Sequence, residues 1–270
     1  MSDNKSTWEA SVQWLREQPD QQELVRAAFY DDPLIAAATR YADSSEWAAI
    51  RALLPAPRGA ALDIGAGRGI ASFALARDGW SVTALEPDSS HLVGAGAIRG
   101  LAAEAGLDMT VVQEWGESLP FADNSFAVVH CRQVLHHARD LGQLCAEIQR
   151  VLQPGGIVVA TREHVISRKE DLDAFLASHP LHYLYGGEHA YLLGEYVQAL
   201  TATGLRMEQV LNPFASNINL YPATLDSLRA DFARRLHVPA WLIPDLALRL
   251  YGALSKTPGR LYTFVARKTA

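Results

Sequence analysis

The sequence has 270 residues, of which 49% are apolar and 20% are charged, so it can bury a full core without disulfides. Its formal net charge of -6 and its lack of a basic stripe disfavour nucleic acid as a partner, because phosphate binding needs clustered positive charge. The two cysteines, Cys131 and Cys145, exclude a disulfide framework, and no run of about 18 apolar residues predicts a membrane span.

The compartment is predicted to be the cytoplasm. Both cysteines lie in apolar patterns and are interpreted as reduced core thiols. The opening residues, MSDNKSTWEASVQW, contain no apolar stretch of the kind that a secretory signal needs. Neither a nucleic acid nor a membrane is therefore expected as a partner, and the chain is predicted to be a monomer or a homodimer.

The first part of the chain is predicted to be helical. Apolar residues such as Trp8, Val12 and Leu15 recur at helical spacing, and the same spacing continues to residue 54. Residues 55–57, with the sequence PAP, end this part with a stiff linker.

From residue 59 onward, short apolar runs alternate with helical patterns. Strands are predicted at 60–64, 81–85, 109–112, 126–130 and 156–160, and helices at 70–77, 88–105 and 141–152. Apolar strands separated by helices indicate a parallel sheet that is covered on both faces. Such doubly wound sheets bind ligands outside the carboxyl ends of their strands, where the strand order reverses.

The pattern becomes less regular after residue 161. Residues 162–191 are rich in His, Tyr and acidic residues. A helix is predicted at 193–203, a strand at 205–211 and two helices between 222 and 254. Residues 260–267 alternate in the way that is typical of an edge strand.

A glycine-rich loop follows the first predicted strand and directly precedes a helix. It reads DIGAGRG from Asp63 to Gly69. Glycine has no β-carbon, so the backbone of such a loop can approach a ligand closely. Position 70 is Ile, where a dinucleotide-binding loop needs a small residue, and the carboxylate of Asp63 suits an ammonium group better than a pyrophosphate.

A second acidic residue, Glu86, ends the second predicted strand. It follows the loop by about 20 residues, which is the spacing at which a carboxylate can accept hydrogen bonds from ribose hydroxyls. The alternative for Asp63 and Glu86 is strand-end capping without any ligand.

Between residues 60 and 160 the sequence resembles the class I S-adenosylmethionine-dependent methyltransferases, of the type often called methyltransferase-11. Four blocks carry the resemblance: LDIGAGRG, ALEPD, ESLPFADNSFAVVHCRQVLHH and EIQRVLQPGGIVV. The resemblance implies an α/β fold with a Rossmann-like, seven-stranded, doubly wound sheet whose last hairpin is antiparallel. It also implies S-adenosyl-L-methionine as the cofactor.

The resemblance further implies where the cofactor lies. Its methionine end is expected over the glycine loop with Asp63 near the ammonium group, Glu86 on the ribose hydroxyls and Pro87 along the adenine edge. The predicted cofactor-binding residues are Asp63, Gly65, Ala66, Gly67, Gly69, Glu86, Pro87, Trp115, Gly116, Glu117 and Arg132.

Two positions depart from the family pattern. The family usually has an acidic residue that contacts the adenine amine, and here that position is Trp115, followed by Gly116 and Glu117. The adenine is expected either to stack on the Trp ring or to meet Glu117. Ala127 replaces the usual Asp after the Phe of the fourth strand, and only a structural consequence is expected from it.

Three histidines are candidate catalytic residues. A general base assists methyl transfer to a hydroxyl group, and His is suited to this role near neutral pH. His136 and His137 follow the fourth strand and His164 follows the fifth, while His137 has the alternative role of orienting its loop. Arg132 and Arg162 are candidates for binding an anionic substrate group, with pairing to a nearby acid as the alternative.

No metal site is predicted. His179, His182, Glu188 and His189 fall in the irregular segment, but their spacing completes no familiar ligand set. We interpret this segment as a polar lid, with the glycines at 186 and 187 as its hinge.

Four parts of the chain follow from these predictions. Residues 1–57 form an N-terminal helical segment that covers the site, 58–163 the cofactor-binding core, 164–258 a substrate lid and cap with the sixth strand, and 259–270 a C-terminal strand that completes the sheet. Candidates for lining the site from the N-terminal segment are Phe29, Tyr30 and Tyr41.

The predicted function is methyl transfer to a hydroxyl or amine of a small molecule. Specificity for that molecule is expected in residues 162–193 and 212–244. The alternatives are a non-catalytic module that binds S-adenosylmethionine and a nicotinamide-dependent oxidoreductase on a similar fold.

Overall fold

The computed structural model describes residues 7–179 and 182–269, and a sheet of eight strands forms its centre. The strands are β1 (Ala60–Ile64), β2 (Ser81–Leu85), β3 (Met109–Val112), β4 (Phe126–Arg132), β5 (Leu152–Ile166), β6 (Tyr191–Leu192), β7 (Leu205–Leu211) and β8 (Arg260–Lys268). Residues 1–6, on which the absence of a secretory signal partly depends, lie outside the described residues.

The strand order is β3-β2-β1-β4-β5-β8-β7, and β6 pairs separately with β5. The first five strands of this order are parallel, whereas β8 is antiparallel to both β5 and β7. The chain runs outward from β1 to β3 and then crosses to β4 on the other side of β1. This reversal is the point at which doubly wound sheets bind ligands, so the predicted fold class is confirmed.

Helices cover both faces of the sheet. They are α1 (Trp8–Glu17), α2 (Gln22–Ala27), α3 (Leu34–Ala42), α4 (Ser45–Arg51), α5 (Ile70–Arg77), α6 (Ala95–Ala105), α7 (Leu141–Val151), α8 (Asp171–Ser178), α9 (His182–Tyr185), α10 (Leu193–Thr201), α11 (Leu225–Leu236) and α12 (Asp245–Leu254). Among the described residues, none of these helices is both long and apolar enough to cross a membrane.

Two apolar layers hold the sheet between the helices. Alternate residues of a strand point to opposite faces, so Ala61 packs in the layer that contains α3 and α5, whereas Leu62 packs in the layer that contains α7 and α10. The same alternation separates Val128 from Val129 on β4. The two-sided burial explains why these strands are apolar throughout.

The helix predicted at 88–105 begins only at Ala95. The side chain of Asp88 accepts a hydrogen bond from the N–H of Ser90, and the Ser90 hydroxyl accepts bonds from the N–H groups of Leu92 and Val93. Side-chain bonds of this kind compete with helical hydrogen bonds. Residues 88–94 therefore form a turn rather than the first turns of α6.

The last strand differs from its prediction as an edge strand. β8 lies between β5 and β7, and its central residues, 262–266, are buried. Its alternation is weak because both of its faces are covered, and β7 forms the edge of the sheet instead. The predicted seven strands are present, and the two-residue β6 is an additional one.

Candidate functional site

A cavity of about 640 Å³ lies at the carboxyl ends of β1, β2, β4 and β5. The glycine loop, Glu86, the turn after β4 and the segment around Glu188 all contribute to its wall. The predicted site residues that line it are Asp63, Gly65, Ala66, Gly67, Glu86, Pro87, Trp115, Gly116, Glu117, Arg132, His136, His137 and His164.

Gly69 is the one predicted cofactor-binding residue that does not line this cavity. It lies at the start of α5 with a φ of 82°, in the left-handed region, and an added Cβ would lie 3.1 Å from Ile98 of α6. The requirement for glycine here comes from backbone conformation and from packing against α6. Gly69 thus has a structural role in this loop, and its contact with the cofactor stays a prediction.

The glycine loop combines a crowded position with an open one. Gly65 has a φ of 61°, and an added Cβ would lie 2.7 Å from Cγ2 of Val134. Gly67 has a φ of 55°, but an added Cβ would have no protein atom within 4 Å. The backbone at Gly67 therefore faces free space on the cavity side, as a loop that cradles a ligand requires.

The carboxylate of Asp63 is buried and already bound within the protein. Its Oδ2 accepts a hydrogen bond from the Ser72 hydroxyl at 2.6 Å, and its Oδ1 lies 2.8 Å from Nδ1 of His130. These two contacts join the end of β1 to α5 and to β4. Asp63 lines the cavity, but its first role in this structure is to fix the direction in which the glycine loop leaves the strand.

Glu86 is a second buried carboxylate at the cavity wall. Its Oε2 accepts a hydrogen bond from the N–H of Gly67 at 2.8 Å, and its Oε1 accepts one from the N–H of Asp88 at 3.0 Å. Burial raises the pKa of Glu86 to about 7, and these hydrogen bonds offset only part of that effect. The site therefore holds a carboxyl group whose charge changes near neutral pH.

Trp115 stands at the rim of the cavity with 52% of its surface exposed. The guanidinium of Arg139 lies 4.2 Å from the centre of its ring and covers one face. Glu117 accepts a hydrogen bond from the N–H of Arg139, and an added Cβ at Gly116 would lie 2.7 Å from Leu144. Gly116 and Glu117 thus shape and anchor this loop, while the Trp115 ring is its accessible flat surface.

Arg132 lines the cavity, but its guanidinium forms an ion pair with Glu46. Its Nε lies 2.7 Å from Oε1 of Glu46, which is fully buried, and its guanidinium also stacks on Phe29 and Tyr41. The alternative of pairing with a nearby acid therefore holds for Arg132.

Two other residues expected at the site lie outside the cavity lining. Arg162 donates hydrogen bonds to the backbone carbonyls of Ile218 and Tyr221, so it does not reach the cavity. Tyr41 is completely buried beside Trp47. Both side chains pack beneath the cavity wall rather than along it. Arg162 also lies 3.6 Å from the carboxylate of Glu46, so its alternative of pairing with a nearby acid holds.

The three candidate histidines meet in one cluster. Nδ1 of His136 lies 2.6 Å from Oε2 of Glu163, and the ring centres of His136 and His164 are 4.8 Å apart. His164 bonds through Nδ1 to the carbonyl of Gly259, and His137 bonds through Nδ1 to the carbonyl of Gly187. A neutral imidazole that donates from Nδ1 has a free electron pair on Nε2.

The protonation of these histidines is set by burial and by two carboxylates. Burial lowers the pKa of His136, but Glu163 and Glu188 outweigh it and raise the pKa to about 9. Burial and the charge of His136 lower the pKa of His164 to about 4, and the same two causes lower that of His137. Proton binding is thus favoured at His136 and disfavoured at His164 and His137.

Glu188, which lies between α9 and β6, completes the cluster. Its Oε1 accepts a hydrogen bond from the Tyr185 hydroxyl at 2.5 Å, while its buried Oε2 has no hydrogen-bond partner. Nε2 of His136 is 3.6 Å and Nε2 of His137 is 3.9 Å from that oxygen. Neighbouring histidines lower the pKa of Glu188 well below its usual value, although burial alone would raise it.

The N-terminal helices close the cavity from above. The Trp8 ring lies 4.6 Å from the ring of Tyr185 and 5.9 Å from that of Tyr30. Arg68 of the glycine loop donates hydrogen bonds to the carbonyls of Phe29 and Asp31. The sequence analysis did not single out Trp8 or Arg68 for this role, since only the folded chain brings them beside the site.

The downstream half of the predicted cap does not reach the cavity. Among the described residues, none after 188 lines it, although 212–244 was expected to contribute to specificity. Helices α11 and α12 instead pack on each other through a small apolar cluster that contains Ala233, Ile243 and Leu248. Apolar residues of α1 and α2, namely Trp8, Leu15 and Leu24, line the cavity instead.

Comparison with known proteins identifies the core. A family model described as a methyltransferase domain matches residues 62–160. An uncharacterized methyltransferase of Mycobacterium marinum is 36% identical over 143 residues, which span 53% of this chain and 51% of that protein. Residues 62–160 therefore match the methyltransferase family that the sequence resembles.

Solved structures share the methyltransferase fold along almost the whole chain. A putative sarcosine dimethylglycine methyltransferase from Galdieria sulphuraria has a TM-score of 0.60 at 21% identity, with coverage of 96% of this chain and 98% of that one. Geranyl diphosphate C-methyltransferase from Streptomyces coelicolor, in complex with Mg²⁺, geranyl diphosphate and S-adenosyl-L-homocysteine, has a TM-score of 0.62 at 16% identity. That alignment covers 94% of this chain and 85% of the other.

The cavity fits S-adenosylmethionine, the cofactor that the resemblance implies. The open backbone at Gly67 leaves room for its amino-acid end, Glu86 offers a carboxylate to hydroxyl donors, and the Trp115 ring offers a flat surface to a base. The alternative of a nicotinamide-dependent oxidoreductase is left without support.

Proposed function

We propose that this protein transfers the methyl group of S-adenosylmethionine to a hydroxyl or amine group of a small molecule. The observation that carries the proposal is the continuity of the cavity. One wall holds the glycine loop and Glu86, and the same space extends to the histidine cluster and to the apolar cover of α1 and α2. Methyl transfer needs the nucleophile and the donor to be aligned in one space that excludes water.

The cofactor end is assigned to residues of the first half of the sheet. Gly65, Ala66 and Gly67 present backbone to the methionine part, and Glu86 accepts hydrogen bonds from the ribose hydroxyls. Pro87 and Trp115 flank the adenine, with the free face of the Trp115 ring as the stacking surface. When bound, S-adenosylmethionine supplies an electrophilic methyl group on a sulfonium.

The proton acceptor of the reaction is assigned to His137. This residue lines the cavity with 36% of its side chain exposed, whereas 1% of the side chain of His136 is exposed. Its Nδ1 is held by the carbonyl of Gly187 at 2.9 Å, so Nε2 is available to take a proton from an acceptor hydroxyl or ammonium. His136 and His164 shape the cluster around it.

The acceptor itself is proposed to be small and partly apolar. Trp8, Leu15, Leu24 and Tyr30 line the cavity on the side of the N-terminal cover. The related structures are named for different acceptors, a methylated glycine in one and geranyl diphosphate in the other. We therefore base the proposal of a small, partly apolar acceptor on the residues that line this cavity. The lid between β5 and β6 would close over the acceptor.

Calorimetric titration of the full chain with S-adenosylmethionine and S-adenosylhomocysteine tests the cofactor assignment. We expect one equivalent of each to bind, and a folded protein that binds neither would refute the proposal. Incubation with labelled S-adenosylmethionine and a fractionated metabolite extract tests catalysis. Label that enters no small molecule, despite tight cofactor binding, would favour a non-catalytic binding module.

The variant His137→Gln tests the assigned proton acceptor once an acceptor molecule is found. We expect kcat to fall by about 10²–10⁴-fold, which is the usual contribution of general base catalysis, with cofactor affinity unchanged. His189→Gln is the matched control, because His189 lies in the same lid region and does not line the cavity. An unchanged kcat in His137→Gln would remove His137 from this role.

A further inference from the structure

We propose that His136, His164 and Glu188 bind a divalent transition-metal ion inside the cavity. One possible ligand atom from each residue lies within 4.8 Å of the others. Two imidazoles and one carboxylate form a ligand set typical of Zn²⁺, Fe²⁺ and related ions, whereas Mg²⁺ and Ca²⁺ prefer oxygen ligands alone. The proposal concerns metal binding and does not depend on methyl transfer.

Both imidazoles are held in the orientation that a metal requires. Nδ1 of His136 is bonded to the carboxylate of Glu163 at 2.6 Å, and Nδ1 of His164 is bonded to the carbonyl of Gly259 at 2.8 Å. Metal-binding histidines nearly always use one ring nitrogen in such a bond, so that the other can coordinate the ion. The Nε2 atoms are the ones left to coordinate here, and the Nε2 proton of His136 would be released to solvent when the ion binds.

Glu163 is itself fixed by the backbone. Its carboxylate accepts hydrogen bonds from the N–H groups of Val134, Leu135 and His136 at 3.0–3.1 Å. The His136 ring is therefore held by a carboxylate that cannot turn without breaking the turn after β4. Because of this support, the His136 ring is held in the same orientation with and without the ion.

Glu188 has a free oxygen at the centre of the cluster. Its Oε2 is buried without a hydrogen-bond partner and lies 3.6 Å from Nε2 of His136, beyond hydrogen-bond distance. Two ligand atoms on one tetrahedral metal ion lie about 3.4 Å apart, as follows from bond lengths of about 2.0–2.1 Å. The spacing fits a shared ion better than a direct hydrogen bond.

His179 is the neighbouring group that could complete the site. Its Nε2 lies 3.7 Å from Oε1 of Glu188, its ring centre is 5.8 Å from that of His164, and its Nδ1 is buried without a partner. His136, His164, His179 and Glu188 all line the cavity, so an ion held among them would be next to the cavity space. If the proposed function holds, an ion here would bind an oxygen or nitrogen of the acceptor molecule; this last step alone rests on that function.

Metal titration of the full-length protein tests the site. After treatment with a chelator and removal of the chelator, we expect calorimetry with Zn²⁺ to show one equivalent bound, and Co²⁺ to produce visible d–d absorption bands. Glu188→Gln and His164→Gln should each weaken Zn²⁺ binding by more than the 10- to 100-fold that follows loss of a supporting group. His189→Gln, the control from the same lid region, should bind Zn²⁺ as the unmodified protein does.

The outcomes separate this proposal from that of methyl transfer. No stoichiometric Zn²⁺ or Co²⁺ binding to folded protein would overturn the metal site and would instead assign the cluster to proton sharing between His136 and the two glutamates. Equal affinity of Glu188→Gln and the unmodified protein would also overturn it. Circular dichroism shows whether each variant is folded, and titration with S-adenosylhomocysteine on the same samples reports the cofactor site independently.

Discussion

Oε2 of Glu86 accepts a hydrogen bond from the N–H of Gly67 at 2.8 Å, and this contact joins the end of β2 to the glycine loop that follows β1. The two residues are the ones assigned to neighbouring parts of the cofactor, its sugar and its amino acid. Because the bond fixes their separation before any ligand is present, the cradle is organised in advance, and less conformational freedom is lost on binding.

Cofactor affinity is expected to rise with pH through the pKa of Glu86, which burial raises to about 7. The ionised carboxylate accepts two hydrogen bonds from the ribose hydroxyls, whereas the protonated group must donate one of its own. Asp88 and Asp63 are the neighbouring charges that raise this pKa further. The measurement is calorimetric titration with S-adenosylhomocysteine from pH 5.5 to about 8.5, a range that brackets this carboxyl group.

Glu86→Gln is the control for that titration. The ligand's own ammonium group titrates equally with both proteins, so only the difference between them reports Glu86. The variant should bind weakly at every pH, and a variant that shows the same pH dependence as the unmodified protein would refute the assignment.

Cofactor affinity is expected to rise with pH, whereas the contribution of Glu86 to the stability of the ligand-free protein should fall with pH. A carboxyl group whose pKa is raised on folding favours the folded state at low pH, and this contribution is lost as pH rises from about 4.5 through about 7. Glu86→Gln removes the cost of burying the charge. We therefore expect urea unfolding at pH 8 to show the variant as the more stable protein, with the difference disappearing near pH 4.5.

Gly65→Ala and Gly67→Ala should separate folding from cofactor binding. At Gly65 an added Cβ would lie 2.7 Å from Val134 in a left-handed backbone, so we expect a loss of at least about 2 kcal/mol in unfolding free energy. At Gly67 there is space for the Cβ, and only the backbone cost of about 1 kcal/mol applies. Denaturant unfolding measures both changes.

The same pair should behave differently towards ligand. Gly67→Ala places its methyl group in the space assigned to the cofactor, so its affinity for S-adenosylhomocysteine should fall far more than its stability. Val134→Ala should partly restore the stability of Gly65→Ala by removing the clash. Full cofactor binding by Gly67→Ala would contradict the proposed position of the ligand.

The Trp115 ring is expected to contribute stacking energy to the cofactor. Arg139 covers one face of the ring at 4.2 Å and leaves the other face for a base. Trp115→Ala should weaken S-adenosylhomocysteine binding by about 1–3 kcal/mol, the usual range for stacking of a base on an aromatic side chain. Quenching of tryptophan fluorescence on ligand addition, compared with Trp115→Phe, measures this contribution.

Glu117→Gln distinguishes stacking of the adenine on Trp115 from a direct contact of the adenine with Glu117. Glu117 is bonded to the N–H of Arg139, so its replacement should leave affinity within about threefold of the original. A loss in Glu117→Gln that exceeds the loss in Trp115→Ala would favour a direct contact between Glu117 and the adenine.

Glu46 and Arg132 form a buried ion pair whose members should be strongly coupled. Their side chains are 0% and 13% exposed, and Arg162 lies 3.6 Å from the same carboxylate. Removing the acid alone leaves buried positive charge, so Glu46→Gln should cost about 3–5 kcal/mol of unfolding free energy. The double variant Glu46→Gln with Arg132→Met should recover part of this loss.

Urea unfolding of both single variants and the double variant gives the coupling energy. Glu23→Gln, on the exposed surface of α2, is the control and should change stability by less than about 0.5 kcal/mol. Additive single and double changes would show that the pair makes no net interaction.

The sequence predicted the sheet well because its signal is local. The strands β1 and β2 and the helix α5 match their predicted bounds, since apolar runs and the glycine loop leave little choice of conformation. The start of α6 was missed because the side chain of Asp88 and the hydroxyl of Ser90 bind the backbone of a turn that no apolar pattern marks. β8 was misplaced at an edge because alternation along one strand does not reveal its neighbours.

The candidate site was predicted in part for the same reason. Residues of the glycine loop and Glu86 fall at the cavity because they follow strands directly. The cluster of His136, His164 and Glu188 could not be predicted, because 52 residues separate its first and last members and only the lid brings them together. The commitment of Arg132 to Glu46 likewise depends on a helix far away in the sequence.

Arg68 leaves the glycine loop and holds the carbonyls of Phe29 and Asp31 in the N-terminal cover. Arg68 thus connects the loop assigned to the cofactor directly to the N-terminal segment that covers the proposed acceptor site. Movement of the N-terminal cover to exchange the acceptor must either break the hydrogen bonds of Arg68 or displace the glycine loop. If the proposed function holds, we therefore expect cofactor binding at the glycine loop to slow the opening of the N-terminal cover.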